Sequence, residues 1–362
     1  MEQKFKILYV SSTYDKSLIL LKEIANYAKA FNIEVKLVIL GKSQEASINN
    51  NFESIYIDVP PEHSKAFNSN PKYFKHIKTE IEKSIKDFNP DLIHSSVFSG
   101  ICVDKSNIPS ILTLQDEFIS KLSWLKNNSA GFRTDIYKKL AEYALNEASS
   151  VTTGSRFLSD ILSKVYKFKK PITVIYNGAN EIKELSSPEK PYILTQINEH
   201  DSDKLNLLKN LSYKIPQNVK IRAIGMNNPI QPIKNVEFIS SKEEMNKAFE
   251  ESSIYLALSE YETSGHQEIT AAMNGCAIVA NDTPMSRELW NDCGCIFEHN
   301  NVNSLIRNVN NLIENPSRLV QHIKSCKSKA LTDFNFKNTI AEYWNLYKGC
   351  SQKHFKTTQN NK

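Results

Sequence analysis

Residues 254–280, IYLALSEYETSGHQEITAAMNGCAIVA, show the folding pattern of this chain most clearly. The apolar run Ile254–Leu258 predicts a buried strand, and a polar turn separates it from a helix predicted over His266–Asn274. Gly275 ends this helix, and Ala277–Ala280 predicts the next strand. Strand, helix and strand in this order form a βαβ unit, which indicates a parallel sheet.

The same alternation extends in both directions along the chain. Apolar runs predict twelve strands in all: Lys6–Val10, Val35–Leu40, Ile55–Val59, Asp91–His94, Ser110–Leu114, Ser150–Thr153, Ile172–Tyr176, Tyr192–Leu194, Val219–Ile224, Val236–Ile239, Ile254–Leu258 and Ala277–Ala280. Amphipathic stretches between them predict helices. The sequence therefore predicts an α/β fold of two doubly wound, Rossmann-like halves, which bind ligands at the carboxyl ends of their strands.

Composition places the domain boundaries. Residues 179–190 are polar and contain a proline, so they are interpreted as a linker between domains at 1–178 and 191–335. A last helix is predicted over 336–350. Residues 351–362, rich in Lys, Asn, Gln and Thr, are predicted to be a disordered tail.

Length and composition exclude several classes of protein. A chain of 362 residues exceeds the roughly 250–300 that one hydrophobic core fills, so two domains are expected. With 40% hydrophobic and 23% charged residues it is an ordinary globular protein. No apolar run approaches the ~18 residues of a membrane span, and the six scattered cysteines fit neither a disulfide framework nor a zinc module. The sequence thus predicts a cytoplasmic protein.

The positive charge is concentrated in one half. Residues 1–180 carry 24 Lys and Arg against 19 Asp and Glu, whereas residues 181–362 carry 21 of each. A basic first half would suit a membrane surface, a lipid phosphate or a nucleic acid. The preference for Lys over Arg also fits the coding bias of an AT-rich genome, which would give the charge no functional meaning.

Several phrases, taken in order, resemble motifs of one enzyme family. They are PDLIH at 90–94, ASSVTTGS at 148–155, VIYNG at 174–178 and residues 259–280, with Glu288 and Gly294 following. This series is similar to the retaining glycosyltransferases of the GT-B fold, family 4. The resemblance implies a cleft between the two domains, a nucleotide sugar on the second, an acceptor on the first, and a C-terminal helix that returns to the first.

The turn before the helix at 266 is the strongest candidate site. Sugar transfer builds negative charge on the leaving diphosphate, which helix N-termini and cations stabilise, and positive charge on the sugar, which a carboxylate stabilises. The N–H groups of Ser264, Gly265 and His266 could face a phosphate or sugar hydroxyls. Glu262 is the candidate catalytic carboxylate; the alternative is that it only stabilises the helix.

The family has a second Glu eight residues after the first, which holds the ribose. Glu260 with Glu268 keeps this spacing, whereas Glu262 with Thr270 keeps both glycines of the motif in place. We favour the glycine register, in which the Thr270 hydroxyl replaces the ribose carboxylate. Glu268 remains a donor-binding candidate in the other register.

Other positions depart from the family pattern. Asn198 stands where the family has Arg, and Lys204, displaced by one place, is the remaining candidate to supply a positive charge. Gln115 replaces a family His and is a catalytic candidate together with Asp116. Arg156 could take over a phosphate contact.

Two further candidates lie at predicted strand ends. Ser12 and Thr13 replace the glycine-rich loop of the family, which denies a diphosphate close approach to the backbone. His94 is a candidate general base or acceptor-positioning residue, although a buried structural imidazole is equally consistent with its position.

The leading hypothesis is a metal-independent, retaining glycosyltransferase without a cofactor, which moves a sugar from a nucleotide sugar to a glycan, lipid-linked or protein acceptor. It would work in the cytoplasm, with peripheral contact at an anionic membrane face as an option. One alternative is a GT-B-like binding subunit that has lost catalysis. Another is a glycosyltransferase acting on modified DNA bases. A nicotinamide-dependent oxidoreductase is disfavoured because no G-x-G-x-x-G follows a strand.

Overall fold

The computed structural model describes residues 4–13, 17–28, 33–42, 52–59, 71–105, 107–124, 134–180, 192–197, 202–225, 232–239 and 241–359. Contacts divide the chain into two units. The first consists of Met1–Ile175 together with Ile340–Lys362, and the second of Tyr176–Thr339.

The first unit is built on a parallel sheet of seven strands in the order β3-β2-β1-β4-β5-β6-β7. The strands are β1 (Phe5–Ser12), β2 (Ile33–Leu40), β3 (Glu53–Ile57), β4 (Leu92–Ser95), β5 (Ser110–Leu114), β6 (Ser150–Thr153) and β7 (Ile172–Val174). Helices described between them are α1 (Ser17–Ala28), α2 (Pro71–Phe88), α3 (Phe118–Trp124), α4 (Thr134–Glu147) and α5 (Arg156–Val165). Consecutive side chains of β1, from residue 7 to 12, are all buried, as expected of a strand covered on both faces.

The second unit repeats this plan with six parallel strands in the order β10-β9-β8-β11-β12-β13. They are β8 (Ile193–Gln196), β9 (Ile221–Ile224), β10 (Val236–Ile239), β11 (Ile254–Ala257), β12 (Ala277–Asn281) and β13 (Cys295–Phe297). Its helices are α6 (Ser202–Ser212), α7 (Lys242–Glu251), α8 (His266–Met273), α9 (Pro284–Trp290), α10 (Val302–Glu314) and α11 (Pro316–Asp333). In both sheets the chain changes direction of winding between two central strands, β1 and β4 or β8 and β11, and such a point is where Rossmann-like sheets bind ligands.

The last helix, α12 (Phe336–Gln359), joins the two units. It begins in the second unit, and its residues from Ile340 onward belong to the first. The C-terminal helix therefore returns to the first unit, where Tyr343 and Tyr347 are buried.

Three details differ from the sequence-based prediction. The helix predicted to end at residue 350 continues to Gln359, so most of the predicted disordered tail is helical; no Pro interrupts this polar segment. The first unit ends at Ile175 rather than 178. The bridge between Ala179 and Asn335 ties the start of the predicted linker to the second unit, and residues 181–190 of that linker lie outside the described residues.

Candidate functional site

The turn between β11 and α8 has a backbone that requires glycine. Gly265 is the N-terminal cap of α8 and has a φ of 59°, in the left-handed region that favours glycine. A Cβ atom at this position would lie 2.3 Å from Leu289 Cδ1 on α9. Both the backbone conformation and the packing against Leu289 therefore make a side chain at residue 265 unfavourable.

The Glu262 carboxylate organises this turn. Its Oε1 atom accepts the N–H groups of Thr263 at 3.0 Å and Ser264 at 2.9 Å, and the Ser264 hydroxyl at 2.8 Å. The Gly265 N–H also points at this oxygen, at 3.4 Å. Glu262 thus folds the loop around its own carboxylate and places a negative charge at the N-terminus of α8, which the helix dipole favours.

This arrangement changes one sequence-based prediction. The N–H groups of Ser264 and Gly265 were expected to face a ligand, but in the structure they donate to Glu262. His266 begins α8, and the first N–H groups of a helix have no acceptor within that helix. A ligand anion at this turn would therefore meet the first turn of α8 rather than the loop before it.

Both glycines of the motif lie at the ends of α8, and the register that pairs Glu262 with Thr270 stays a prediction. Gly265 and Gly275 both have positive φ, 59° and 84° respectively. At each end of α8 the backbone therefore adopts a conformation that favours glycine. Thr270 is half-buried, and its hydroxyl donates to the His266 carbonyl oxygen at 2.8 Å. In the register that pairs Glu262 with Thr270, this hydroxyl stands where the family pattern has a carboxylate.

Glu268 has a structural environment. Its side chain is buried, at 4% exposure, and its Oε2 atom accepts the indole N–H of Trp290 at 2.5 Å. This bond ties α8 to α9. The expected donor-binding role of Glu268 does not fit, because the carboxylate is directed at an indole inside the unit.

Asn177 contacts the same turn, which the sequence did not suggest. Its side chain Nδ2 atom donates to the Ser264 carbonyl oxygen at 3.1 Å. The neighbouring Tyr176 hydroxyl donates to Glu288 Oε1 on α9 at 2.8 Å. The VIYNG phrase was a signal that this segment matters, but sequence alone gave no reason to connect it with Ser264.

A second polar network joins the loops after β11 and β13 to the last residue of β12. Asn300, with a φ of 53°, donates from Nδ2 to Glu260 Oε1 at 2.6 Å. Its backbone N–H donates to Asn281 Oδ1 at 3.0 Å, and the Asn281 amide returns a bond of 2.9 Å. Glu260 is therefore held by Asn300, and the carboxyl ends of three strands form one connected edge.

Of the two positions considered for a phosphate contact in the second unit, the structure describes one. Lys204 lies in the first turn of α6 and is half-buried. Asn198 lies outside the described residues. The predicted phosphate role of Lys204 therefore stays a prediction.

In the first unit, His94 is a structural residue, which corrects its predicted catalytic role. It is fully buried at the end of β4, with Nδ1 2.7 Å from the Tyr347 hydroxyl and Nε2 2.6 Å from Thr113 Oγ1. Burial lowers the pKa of His94 to about 3, so the imidazole is neutral near neutral pH. Both ring nitrogens have protein partners and neither faces solvent, so a substrate cannot use them.

Gln115 and Asp116 follow β5 and have different surroundings. Gln115 is buried, and a Cβ atom on Gly154 would lie 2.5 Å from its Oε1 atom, so the glycine makes room for this amide. Asp116 is half-buried, and its Oδ2 atom lies 3.5 Å from Lys121 Nζ. Asp116 is therefore the more accessible of the two candidates, and the buried Gln115 side chain is poorly placed for catalysis.

The remaining candidates also lie at the carboxyl edge of the first sheet. Ser12, at the end of β1, is fully buried, so its side chain is closed off from solvent at the position where the family has its glycine-rich loop. Thr13 donates its backbone N–H to the Leu40 carbonyl oxygen at 2.9 Å. Arg156 is exposed at the first position of α5, whose Ser155 cap accepts the Leu158 N–H at 3.1 Å.

Sequence reasoning also missed a buried acid beside these residues. Glu117 is 2% exposed and accepts the N–H groups of Ile119 at 2.9 Å and Ser120 at 2.5 Å, so it caps α3. The Tyr166 hydroxyl donates to the same carboxylate. Its position directly after Gln115 and Asp116 was the only available signal.

Within the described ranges, no three His, Cys, Asp or Glu side chains cluster as a metal ion would require. Among the same residues, no helix is both long enough and apolar enough to span a bilayer.

Comparison with known proteins gives matches along both units. The family described as Glycosyltransferase Family 4 matches residues 19–181, and Glycosyl transferases group 1 matches residues 230–329. The first match falls largely in the first unit and the second lies within the second unit. The chain belongs to the family 4-like glycosyltransferases of the GT-B fold.

Solved structures resemble this glycosyltransferase over nearly its full length. Sucrose-phosphate synthase from Thermosynechococcus elongatus has a TM-score of 0.77 at 15% identity, covering 96% of this chain and 99% of its own. HepE from Anabaena in complex with UDP and glucose has a TM-score of 0.75 at 14% identity, covering 95% and 100%. A glycosyltransferase from Rickettsia africae has a TM-score of 0.72 at 16% identity, covering 96% and 99%. These likenesses confirm the two-domain Rossmann-like fold.

No curated protein sequence matches the glycosyltransferase chain. Its activity as glycosyl transfer follows from the family matches, and its donor and acceptor have to be inferred from the site.

Proposed function

We propose that this glycosyltransferase moves a sugar from a nucleotide-sugar donor, bound at the carboxyl edge of the second sheet, to a glycan, lipid-linked or protein acceptor. The observation that carries the proposal is the turn at Glu262–Gly265, where a carboxylate and a left-handed glycine open α8. A helix N-terminus attracts the phosphates of a nucleotide, and the adjacent carboxylate suits a sugar that develops positive charge.

Each residue of the turn has a distinct part in this proposal. The first turn of α8 would receive the diphosphate, with Lys204 adding a positive charge as the leaving group forms. The Glu262 carboxylate, oriented by the hydrogen bonds that its Oε1 atom accepts within the turn, would face the sugar. Thr270 would bond the ribose, more weakly than the carboxylate of the family pattern because its hydroxyl is neutral.

A uridine diphosphate sugar is the first donor to test. Similar structures include HepE from Anabaena in complex with UDP and in complex with UDP-glucose. Retention of anomeric configuration and independence from a metal ion belong to the proposal and rest on the family resemblance.

The acceptor side is proposed to lie on the first unit. Asp116 and Arg156 lie there at the carboxyl edge of the sheet and are accessible. The excess of basic residues in this half suits an anionic or lipid-linked acceptor presented at a membrane surface. A DNA acceptor is a second possibility for the same charge, and a panel of acceptors would separate them.

A catalytically inactive binding subunit is the second candidate function. It is favoured by specific residues: Gln115, Thr270 and Asn198 stand where the family pattern has His, Glu and Arg. Such a protein would keep the fold and bind a glycan or a partner protein without turnover.

The experiment is a thermal-shift screen of the purified protein against UDP-, GDP- and CMP-linked sugars, followed by nucleotide release with the donor that binds. Stabilisation and turnover by one donor are expected, unchanged by EDTA, with retained configuration in the product. The Glu262→Ala variant should lose turnover, whereas Glu314→Ala, an exposed acid on α10, should keep it. A protein that neither binds nor hydrolyses any donor would contradict the proposal.

A further inference from the structure

We propose that Asn177 is a positioning residue for the turn that opens α8, an inference that rests on the proposed function. Asn177 is buried, at 5% exposure, and follows Tyr176, the residue at which the chain enters the second unit. Its Nδ2 atom donates to the Ser264 carbonyl oxygen at 3.1 Å. A segment distant in sequence thereby holds the backbone of the candidate donor turn.

The bond fixes the orientation of one peptide group. In a planar trans peptide the carbonyl oxygen of Ser264 and the N–H of Gly265 point in opposite directions. Asn177 holds the oxygen on one side, and Glu262 Oε1 lies 3.4 Å from the nitrogen on the other. Rotation of this peptide would break both contacts at once.

Glycine alone does not keep this conformation. The missing side chain of Gly265 leaves room for Leu289, whose Cδ1 atom would lie 2.3 Å from a Cβ atom at this position. A glycine, however, populates positive and negative φ about equally. The turn therefore needs partners that select the observed φ of 59°. Asn177 is one such partner, and the Glu262 carboxylate is another.

The segment that carries Asn177 is itself anchored on both sides. The Tyr176 hydroxyl bonds Glu288 Oε1 at 2.8 Å, and the Tyr176 carbonyl oxygen accepts the Thr339 hydroxyl at 3.0 Å. A Cβ atom on Gly178 would lie 2.5 Å from Phe336 Cα, so this backbone approaches α12 closely. Asn177 thus reaches Ser264 from a fixed base.

The role follows from this geometry. Asn177 touches no donor in the proposal; it acts through the Ser264–Gly265 peptide, which sets where Glu262 and the first turn of α8 point. Loss of the Asn177 amide N–H should therefore weaken productive binding of the nucleotide sugar more than it lowers the free energy of unfolding.

The test compares Asn177→Asp and Asn177→Ser with Asn308→Asp. Asp keeps the shape of the amide, but its carboxylate can only accept hydrogen bonds. Ser is too short to reach the Ser264 carbonyl oxygen. Asn308 is a matched control, because its half-buried amide also donates to a backbone carbonyl oxygen, that of Ile296 at 3.3 Å. Two measurements are made well below the unfolding temperature: kcat/KM for UDP-glucose or the donor found by screening, and hydrogen exchange of the backbone amides at 262–269.

Both Asn177 variants should lower kcat/KM by about tenfold, the size of one net hydrogen bond, and speed amide exchange at 262–269. Asn308→Asp should leave both unchanged. Unchanged exchange and kcat/KM in the Asn177 variants would overturn the proposal, as would unfolding of both, which would make Asn177 a stability residue. If the wild-type protein turns over no donor, the proposed function fails, while the exchange measurement still decides the role of Asn177.

Discussion

The Glu262 carboxylate has two tasks that substitution can separate. It holds the turn through hydrogen bonds to Oε1, and it supplies the charge proposed to face the sugar. Glu262→Gln keeps an oxygen acceptor but removes the charge. We expect turnover to fall by about 100-fold or more, as for loss of other preorganised charge-stabilising groups, with a cost to folding of ~0.3–1 kcal/mol. Nucleotide release and thermal unfolding measure the two effects; equal turnover by the variant would favour the inactive binding subunit.

Gly265 allows a direct test of backbone strain. Gly265→Ala places a Cβ in the left-handed region, at a cost of about 1–2 kcal/mol, and against Leu289, so the free energy of unfolding should fall by more than that. Gly349→Ala is the control, because nothing lies within 4 Å of its Cβ position on α12. It should stabilise by about 0.5–1 kcal/mol. Denaturant unfolding should show a lower free energy of unfolding for Gly265→Ala and a higher one for Gly349→Ala. A change in the same direction in both variants would contradict the strained conformation assigned to residue 265.

His94 predicts a dependence of stability on pH. Burial lowers the pKa of His94 to about 3, whereas an unfolded imidazole has a pKa of about 6.5. Between these values the unfolded chain binds one more proton, so the free energy of unfolding falls as pH falls, by up to about 1.4 kcal/mol per unit.

The His94→Gln variant should lose stability at pH 7.5 but show a shallower decline from pH 6.5 to 5 than the wild-type protein. Urea unfolding across this range measures the difference between the two slopes. Parallel slopes would contradict the burial of a neutral imidazole.

The sequence predicted local features of the site better than contacts made across the fold. Glu262 and Gly265 lie on one turn, where spacing alone defines their relation. His94 was placed correctly at a strand end, but its burial depends on Tyr347, which is 253 residues away. Asn177 and Ser264 meet only because the fold brings them together, and no periodicity encodes that contact.

Among the elements, α8 and α9 depend on each other. The buried Glu268 carboxylate accepts the Trp290 indole N–H, so Trp290→Phe leaves a buried charged group without this donor. The expected cost is about 1.5–3 kcal/mol, as for hydrogen bonds to charged groups. Adding Glu268→Leu should cost less in the Trp290→Phe background than in the wild-type chain, because the stranded charge is removed.

Thermal unfolding of the two single variants and the double variant would measure this coupling. Additive losses would mean that the bond contributes nothing beyond packing.

Strands and long helices were easier to predict than short elements. All seven strands of the first unit fall where apolar runs predicted them. β13 was missed because three residues are too few to show alternation. α3 was missed because its seven residues are too few to show a helical period, although Phe118 and Ile119 pack against the core of the first unit. α11 was also missed, although the Asn315-Pro316 pair at its start is a recognisable helix signal.

At the level of the whole molecule, α12 from Ile340 onward packs as part of the first unit. Its Tyr347 hydroxyl meets both His94 and Tyr9, the latter at 3.1 Å, and Tyr343 is fully buried. A chain that ends at Thr339 should therefore lose the folded first unit while the second keeps its contacts. Calorimetry and limited proteolysis would detect selective loss of protection in residues 4–175. A truncated chain with both units protected would contradict this assignment.

The two-domain organisation could be predicted because the βαβ pattern stops and restarts near residue 190. The position of the boundary could not. Tyr176 belongs to the second unit because Glu288 and Thr339 bond it, and both partners lie more than a hundred residues away. Amino-acid composition shows where the chain is polar, whereas the boundary between the two units depends on which unit a segment packs against.

The bond between the Thr339 hydroxyl and the Tyr176 carbonyl oxygen brings the two ends of the second unit together. That unit is one uninterrupted stretch of chain inserted into the other, with its entrance and exit side by side. Because its two ends are adjacent, recombination at these points could exchange the whole unit between related proteins without changing how the chain connects the two units. With the donor on this unit and the acceptor on the first, as proposed, donor preference would be inherited, or engineered, separately from the choice of acceptor.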